Sequence, residues 1–209
     1  MLPFRFRFFD LARPSDGMIR LVSPHEQWVD ELVRAEAMSA AMNADDGPEG
    51  RPWFGEDAAR ERALNFLRAC PGGRDLPRGL GGVPAYHFWM VVEPDTPLAR
   101  QLPIKLVGGL SLRIGNTREL RYFSGHIGYQ VYGPARGHHF AERGVRLVLP
   151  LAARHHLKPV WITVNPDNIA SRRTCERLGA TLVDVVTIPE THPFYLRGER
   201  AKCRYRIDP

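Results

Sequence analysis

The chain has 209 residues, of which 44% are hydrophobic, so its length and composition favour one globular domain with a sizeable core. No apolar run approaches the roughly 20 residues of a membrane helix, and arginines interrupt the aromatic residues 1–10, so neither a membrane span nor a secretory signal is expected. The net charge of +6 comes without a block of five or more Lys or Arg residues, which argues against a nucleic-acid partner.

Residues 1–82 are predicted to form an N-terminal elaboration with two helices. The first helix begins with a capping box, in which Ser23 is the N-cap and Glu26 lies three residues later. The second helix spans residues 56–70, and its apolar stripe consists of Ala59, Ala63, Phe66 and Cys70.

Residues 83–209 are predicted to form the core of the domain. In chain order the predicted elements are strands at 86–92, 104–114 and 126–131, a helix at 136–156, a strand at 160–164, a helix at 168–178, and strands at 182–188 and 202–207. This order, β-β-β-α-β-α-β-β, predicts an α/β fold with a mixed sheet in a single domain over residues 1–209.

One strand–turn–helix segment carries most of the chemical information. After the strand at 126–131, Gly133, Pro134 and Gly137 predict a tight turn that leads into the long helix. The backbone N–H groups of the first helical turn then lack partners at the end of a strand, where a phosphate binds well. The segment therefore predicts a phosphate or pyrophosphate site, and an ordinary strand-to-helix turn is the alternative.

This segment resembles the pyrophosphate loop of the GCN5-related N-acetyltransferases, the GNAT superfamily. The family pattern is Q/R-x-x-G-x-G/A, and Arg136, His139 and Ala141 occupy its three marked positions. The histidine replaces the family's glycine, and the usual proline appears one residue late, at Pro134. The resemblance therefore implies a slightly altered loop.

A second motif supports the same resemblance. The family has N-x-x-A/S after a strand, with a glycine eight residues beyond the small residue, and Asn168, Ser171 and Gly179 fit that spacing. The Ile-Gly-Tyr sequence at residues 127–129 is similar to the branch that contains peptide and ribosomal-protein N-acetyltransferases. The resemblance is strong over residues 104–182 and says little about the first 80.

The resemblance implies one GNAT-type domain, with a mixed, mostly antiparallel sheet flanked by helices and a cleft between splayed strands for acetyl-CoA. The backbone of residues 137–141 would hold the pyrophosphate, and that of residues 130–132 would pair with the pantetheine arm like an added strand. The implied cofactor-binding residues are Gln130, Val131, Tyr132, Arg136, Gly137, His138, His139, Phe140, Ala141, Asn168 and Ser171.

Three residues are candidates for the proton transfers of an acetyltransferase. His126 lies where related peptide N-acetyltransferases carry Glu, which implies a general base, and a histidine packed in the core is the alternative. Cys175 lies where many GNAT enzymes place the tyrosine that protonates the CoA thiolate, but a helical cysteine is usually a small buried hydrophobe. Ser171 is the other candidate donor, and solvent or the product ammonium would need no residue.

The histidines and cysteines do not predict a metal site. The pairs at 138–139 and 155–156 are adjacent in sequence and point in different directions on a helix, with no third ligand at metal spacing. Cys70, Cys175 and Cys203 are widely spaced and form no CxxC pair. We therefore expect no metal and a reducing, cytoplasmic location.

The sequence thus predicts an enzyme that moves an acetyl group from acetyl-CoA directly to a primary amine of a small molecule or a peptide. The N-terminal 80 residues are expected to cover the acceptor side of the cleft or to form a homodimer surface. Residues 189–199 border the acceptor site in related folds, so they either line a substrate pocket or form a solvated loop. Two other classes stay open. One is a non-catalytic acyl-CoA-binding or interaction module on the same scaffold, motivated by His139 and Cys175, and the other is a nucleic-acid- or ribosome-associated protein, motivated by the charge.

Overall fold

The structure, a computed structural model, describes residues 14–42, 53–75 and 82–209. Within these residues the strands are β1 (Ile19–Val22), β2 (Arg74–Asp75), β3 (Ala85–Val92), β4 (Leu106–Arg113), β5 (Ile127–Val131), β6 (Val160–Val164), β7 (Thr181–Thr187) and β8 (Ala201–Ile207). The helices are α1 (Val29–Met42), α2 (Glu56–Ala69), α3 (Pro97–Gln101), α4 (Phe140–Arg154), α5 (Ile169–Arg177) and α6 (Pro193–Leu196). Among these helices, none is long and apolar enough to cross a membrane.

The strands form two sheets. β1, β3, β4 and β5 are neighbours in that order, with β2 beside β3, and β6, β8 and β7 form the second sheet. β1 pairs antiparallel with β3, and β8 pairs antiparallel with both β6 and β7. β5 and β6, which follow one another in the chain on either side of α4, therefore belong to different sheets. The predicted α/β fold, with mainly antiparallel strands flanked by helices, is confirmed.

Contacts between residues divide the chain into two compact units. The first comprises Met1–Asp75, His87–Gly109 and Gln130–Phe140, and the second comprises Leu76–Tyr86, Leu110–Tyr129 and Ala141–Pro209. In the first unit α1 packs against α2, whose buried positions Ala59 and Ala63 confirm the predicted apolar stripe.

The second unit has its own core. α4 buries Val145, Val148 and Ala152 at helical spacing, and Ile162 of β6 and Tyr205 of β8 are also almost completely buried. A smaller cluster joins Phe123, Ile188 and Phe194, and Tyr122, Val186 and Tyr195 pack against it. This cluster connects the segment before β5 to α6.

The start of the first helical segment differs from the prediction. His25, not Ser23, is the N-cap, because its ring Nδ1 accepts a hydrogen bond of 3.2 Å from the N–H of Gln27. A short 3₁₀ turn over Glu26–Trp28 follows, and α1 begins after it. The predicted capping box is therefore wrong, since an imidazole nitrogen rather than a hydroxyl accepts from the first turn.

The long central helix also begins later than predicted. Residues 136–139 are not helical, because Gly137 has a φ of +90° and His139 a φ of +59°, both outside the right-handed helical region. α4 therefore starts at Phe140 and runs through Pro150 to Arg154. The segments missed from the sequence include the strands β1 and β2, the helices α3 and α6, and a π-helical turn over Leu120–Ser124, all short.

Candidate active site

In the second unit, β5 and β6 meet at one end and then separate. The N–H of His126, just before β5, donates a 2.7 Å hydrogen bond to the carbonyl of Trp161 in β6. Gly125 has a φ of +68°, and a Cβ there would lie 3.0 Å from the backbone nitrogen of Thr163. Glycine is therefore required at this contact by both conformation and space. Beyond it the two strands belong to different sheets, so a cleft opens between them.

The cleft encloses about 250 Å³ and is mostly polar at both ends. One end is formed by β5, β6 and the start of α5, with Tyr129, Val164, Asn165, Asn168 and Ser171. The other end is formed by β4, the segment before β5, α6 and β8, with Arg113, Phe123, Ser124, Phe194, Glu199 and Lys202.

Asn168 fixes the start of α5 at the first end of this cleft. Its side-chain oxygen accepts a 3.0 Å hydrogen bond from the N–H of Ser171, so Asn168 is the N-cap of this helix rather than its first residue, where the sequence prediction began it. The amide NH₂ of Asn168 donates to no other described group, and Asn168 and Ser171 both line the cleft. This leaves the Asn168 amide available to a carbonyl oxygen of a ligand.

Tyr129 and Cys175 lie side by side behind Ser171. The hydroxyl of Tyr129 donates to the carbonyl of Ser171 at 3.3 Å. Burial raises the pKa of Tyr129 well above its ordinary value, and it raises the pKa of the completely buried Cys175 thiol to about 12. Both groups are therefore protonated at neutral pH.

His126 is held by hydrogen bonds on both ring nitrogens. Nδ1 accepts from the N–H of Trp161 at 2.8 Å, so Nε2 carries the proton and donates to the carbonyl of Gly115, also at 2.8 Å. The side chain is 1% exposed, and burial lowers its pKa. A buried, neutral ring with both nitrogens occupied has no atom available to a substrate. This geometry favours the core histidine over the general base, the two alternatives that the sequence left open.

In the first unit, the turn after β5 is anchored on α1. The N–H of Gly133 donates to the hydroxyl of Ser39 at 2.8 Å, and that hydroxyl donates to the carbonyl of Ala35 at 2.7 Å. A Cβ on Gly133 would lie 3.3 Å from Cα of Ser39. The close approach of the turn to α1 therefore requires a residue without a side chain.

The residues after this turn present their backbone outward. Arg136, Gly137, His138 and His139 are exposed, and a Cβ built on Gly137 would meet nothing within 4 Å. No described residue accepts a hydrogen bond from the backbone N–H groups of residues 137–141. His139 takes the left-handed conformation that glycine adopts most easily, so the backbone keeps a glycine-like path despite the side chain.

The cleft also holds residues that sequence reasoning missed. Arg113 is the one charged residue of the otherwise mainly apolar β4, which was a weak signal, whereas Lys202 shares β8 with two arginines and did not stand out. The nitrogen Nζ of Lys202 donates to Asn165 at 2.6 Å and pairs with Glu199. Among the described residues, no group of three or more His, Cys, Asp or Glu side chains is arranged to hold a metal ion.

A profile of the acetyltransferase (GNAT) domain family matches residues 27–181, more than half of the chain. The chain belongs to this family. This confirms the predicted family, and it confirms that the protein is an acetyltransferase that uses acetyl-CoA. The curated proteins gave no match to the sequence.

Solved structures of acetyltransferases share the GNAT fold at low sequence identity. The microcin C7 self-immunity acetyltransferase MccE, in complex with acetyl-CoA and AMP, is 14% identical with a TM-score of 0.64, over 94% of this chain and 99% of that one. RimL, a ribosomal L7/L12 alpha-N-protein acetyltransferase in complex with CoA, is 15% identical with a TM-score of 0.62, over 94% and 97%. The ribosomal-protein-S5-alanine acetyltransferase from Vibrio fischeri is 14% identical with a TM-score of 0.57, over 91% and 93%.

The predicted GNAT site residues are distributed over both units. Gln130, Val131, Tyr132 and residues 136–140 belong to the first unit, and Ala141 belongs to the second. Asn168, Ser171, Cys175 and His126 all belong to the second. Of these, Asn168 and Ser171 line the cleft, whereas Cys175 and His126 are buried behind its walls.

Proposed function

We propose that this GNAT enzyme transfers the acetyl group of acetyl-CoA directly to a primary amine of a small molecule or a peptide, without a covalent enzyme intermediate. The observation that carries the proposal is the opening between β5 and β6. Because β5 is the last strand of its sheet, one of its edges has no neighbouring strand among the described residues. An extended polar ligand can pair with such an edge through backbone hydrogen bonds.

The residues present fit acetyl-CoA. In the first unit, the open edge of β5 at Gln130 and Val131 suits the pantetheine arm, although the carbonyl of Val131 also accepts from Arg136 at 3.4 Å. In the second unit, taken by itself, the Asn168 amide is an available donor. The N–H groups of residues 137–141, which donate to no described residue, suit a pyrophosphate, and the exposed Arg136 adds a positive charge beside them. When bound, acetyl-CoA supplies the activated acyl group and a thiolate leaving group.

The reaction moves two protons, one to the departing sulfur and one from the attacking amine. Ser171 is the proposed donor to the sulfur, with its own proton replaced from solvent, because it is half-buried and lines the cleft, whereas Cys175 is fully buried with a raised pKa. His126 has no available nitrogen, and the carboxylate of Glu199 is paired with Lys202. The amine therefore enters as the free base, with its proton released to solvent.

The names of the solved relatives support a peptide α-amine as one acceptor class, since RimL and the S5-alanine enzyme are named for ribosomal proteins. A small-molecule amine is the other class. The three cysteines are buried thiols that form no disulfide, which suits the reducing cytoplasm that we propose as the location. A homodimer stays a prediction.

Two measurements test the proposed function. Calorimetric titration with acetyl-CoA should give saturable binding, and Arg136→Glu should weaken the affinity at least about fivefold, because a negative charge would face the phosphates. Arg100→Glu, an equal charge reversal at an exposed position of α3, is the control. Thiol release from acetyl-CoA across a panel of amines then tests turnover.

Equal affinities of the wild type and Arg136→Glu would exclude residues 136–141 as the phosphate site. Saturable binding without thiol release above the rate in buffer, for every amine, would instead support the non-catalytic alternative.

A further inference from the structure

Arg113, at the end of β4, lies in the wall of the cleft and is held in one orientation. Its Nη1 donates to the carbonyls of Ser124 at 3.1 Å and Gly125 at 3.2 Å. Both acceptors lie in the segment just before β5, at the end where β5 and β6 still touch. These two bonds use the hydrogens of one terminal nitrogen and fix the plane of the guanidinium.

The other side of this guanidinium contacts no hydrogen-bonding partner among the described residues. A guanidinium has five N–H donors, and those on Nε and Nη2 donate to no described residue. No carboxylate in the described part of the chain lies within ion-pair distance of Arg113. Glu119 raises the pKa of Arg113 from a distance, while burial, the larger effect, lowers it. The oxygens of Glu119 accept instead from Ser124 and from His192, the latter at 3.0 Å.

β5 leaves room for the guanidinium at Gly128. A Cβ built on Gly128 would lie 3.1 Å from Oγ of Ser111, 3.3 Å from Nη2 of Arg113 and 3.5 Å from Nη1 of Arg113. The guanidinium therefore packs closely against the bare backbone of Gly128, and a methyl group there would push against both side chains.

The other cation of the cleft is already neutralised. Lys202 pairs with Glu199, bonds Asn165, and lies 4.7 Å from the ring centroid of Phe194. Arg113 therefore gives the cleft a positive charge that no described carboxylate neutralises at contact distance. A partly buried guanidinium with free donors gains most from a carboxylate or phosphate, which matches its fork with two hydrogen bonds.

We propose that Arg113 binds an anionic oxygen group of the acceptor, a carboxylate or a phosphate, so that the enzyme selects amines that carry a negative charge. This inference rests on the proposed function and narrows its acceptor class. The pairing would involve Nε and Nη2, since Nη1 is committed to the two carbonyls.

The test compares acceptors that differ only in the charge of one group. The first series consists of β-alanine, 4-aminobutyrate and 6-aminohexanoate with their carboxamides. The second pairs Ala-Glu-Ala-amide with Ala-Gln-Ala-amide, and the third pairs O-phosphoethanolamine with ethanolamine. For each pair, kcat/KM is measured by thiol release, and affinity for the CoA-bound enzyme is measured by calorimetry, which needs no turnover.

At least one anionic acceptor should be favoured about tenfold or more over its neutral partner, the expected effect of a charge-assisted pair. Arg113→Gln should reduce that ratio to near one, while Arg100→Gln should leave it unchanged. Gly128→Ala should also lower the ratio by displacing the guanidinium, which provides a second variant if Arg113→Gln does not fold. The series that shows the preference distinguishes a carboxylate from a phosphate.

Equal values for all the pairs, or a preference that survives Arg113→Gln, would overturn the proposal. Failure of every anionic probe to bind the CoA-bound enzyme would overturn it as well. Efficient acetylation of neutral amines alone would overturn the role of Arg113 but would leave the proposed acetyl transfer intact. The two proposals can therefore fail separately.

Discussion

Replacing His126 with alanine should lower the free energy of unfolding, and activity should fall only because less of the enzyme is folded. The imidazole is 1% exposed and connects two backbone groups, the carbonyl of Gly115 and the N–H of Trp161. Alanine would leave both groups buried without their partner. It would also leave a cavity where the ring now packs.

The expected loss follows from those two bonds. Each buried backbone group left without a partner costs about 1–3 kcal/mol, so the pair accounts for about 2–6 kcal/mol before any cavity is counted. For a protein of this size each kcal/mol lowers the Tm by about 2–4 °C. A fall of at least about 5 °C is therefore expected for His126→Ala.

Urea unfolding followed by circular dichroism measures the loss, and thiol release well below the Tm measures turnover per folded molecule. His156→Asn is the matched control, because His156 is exposed and asparagine tolerates its φ of +57°. A general base would give the opposite pattern, with wild-type stability and kcat lowered about 100-fold or more. That pattern would refute the structural role of His126.

Other substitutions and conditions test separate parts of the site. Ser171→Ala should lower kcat about tenfold or more if the hydroxyl protonates the thiolate, whereas Cys175→Ala should leave kcat within about threefold of the wild type. Equal effects of the two substitutions in a thiol-release assay would contradict Ser171 as the proton donor. Because burial lowers the pKa of His126 and of His155 below the ordinary 6.5, the unfolded chain binds more protons near pH 6. The stability that these two histidines contribute is therefore present above about pH 6.5 and is lost as the pH falls towards their folded-state pKa. The urea midpoint should be higher at about pH 7.5 than at about pH 5.5. A midpoint that does not change with pH would contradict the burial of both rings. Gly125→Ala should lower the free energy of unfolding by at least about 1 kcal/mol, since its φ of +68° is strained for alanine. An unchanged urea midpoint would contradict this backbone conformation and the contact between β5 and β6 that depends on it.

Much of the fold could be predicted from local sequence signals. The strand at Val160–Val164 was placed correctly because it is a short apolar run bounded by polar residues. α5 was placed within a residue at each end, and its C-terminal end was predictable because Gly179, with a φ of +78°, follows the helix. The late start of α4 could not be predicted, since the left-handed φ of His139 is rare for a residue with a side chain.

The candidate site was predictable only where a local motif defined it. Asn168 and Ser171 were found because they match the spacing of the family's N-x-x-A/S motif, and the structure gives that spacing a physical reason, since Asn168 caps the helix on the N–H of Ser171. Whether His126 acts as a base or packs in the core depends on its hydrogen bonds to Gly115 and Trp161, which are not adjacent to it in the sequence. Such bonds leave no pattern in the neighbouring residues. Arg113 was missed for a similar reason, since its acceptors and the absence of a counterion come from tertiary structure.

Hydrogen exchange measured with and without acetyl-CoA tests the central claim most directly, because it reports which backbone amides the cofactor covers. Acetyl-CoA should slow exchange in two segments, residues 127–132 along β5 and residues 137–141 after the turn, and Arg136→Glu should reduce the second effect. Protection confined to other segments, such as β7 and the C-terminal end of β8, would contradict a cofactor site between β5 and β6.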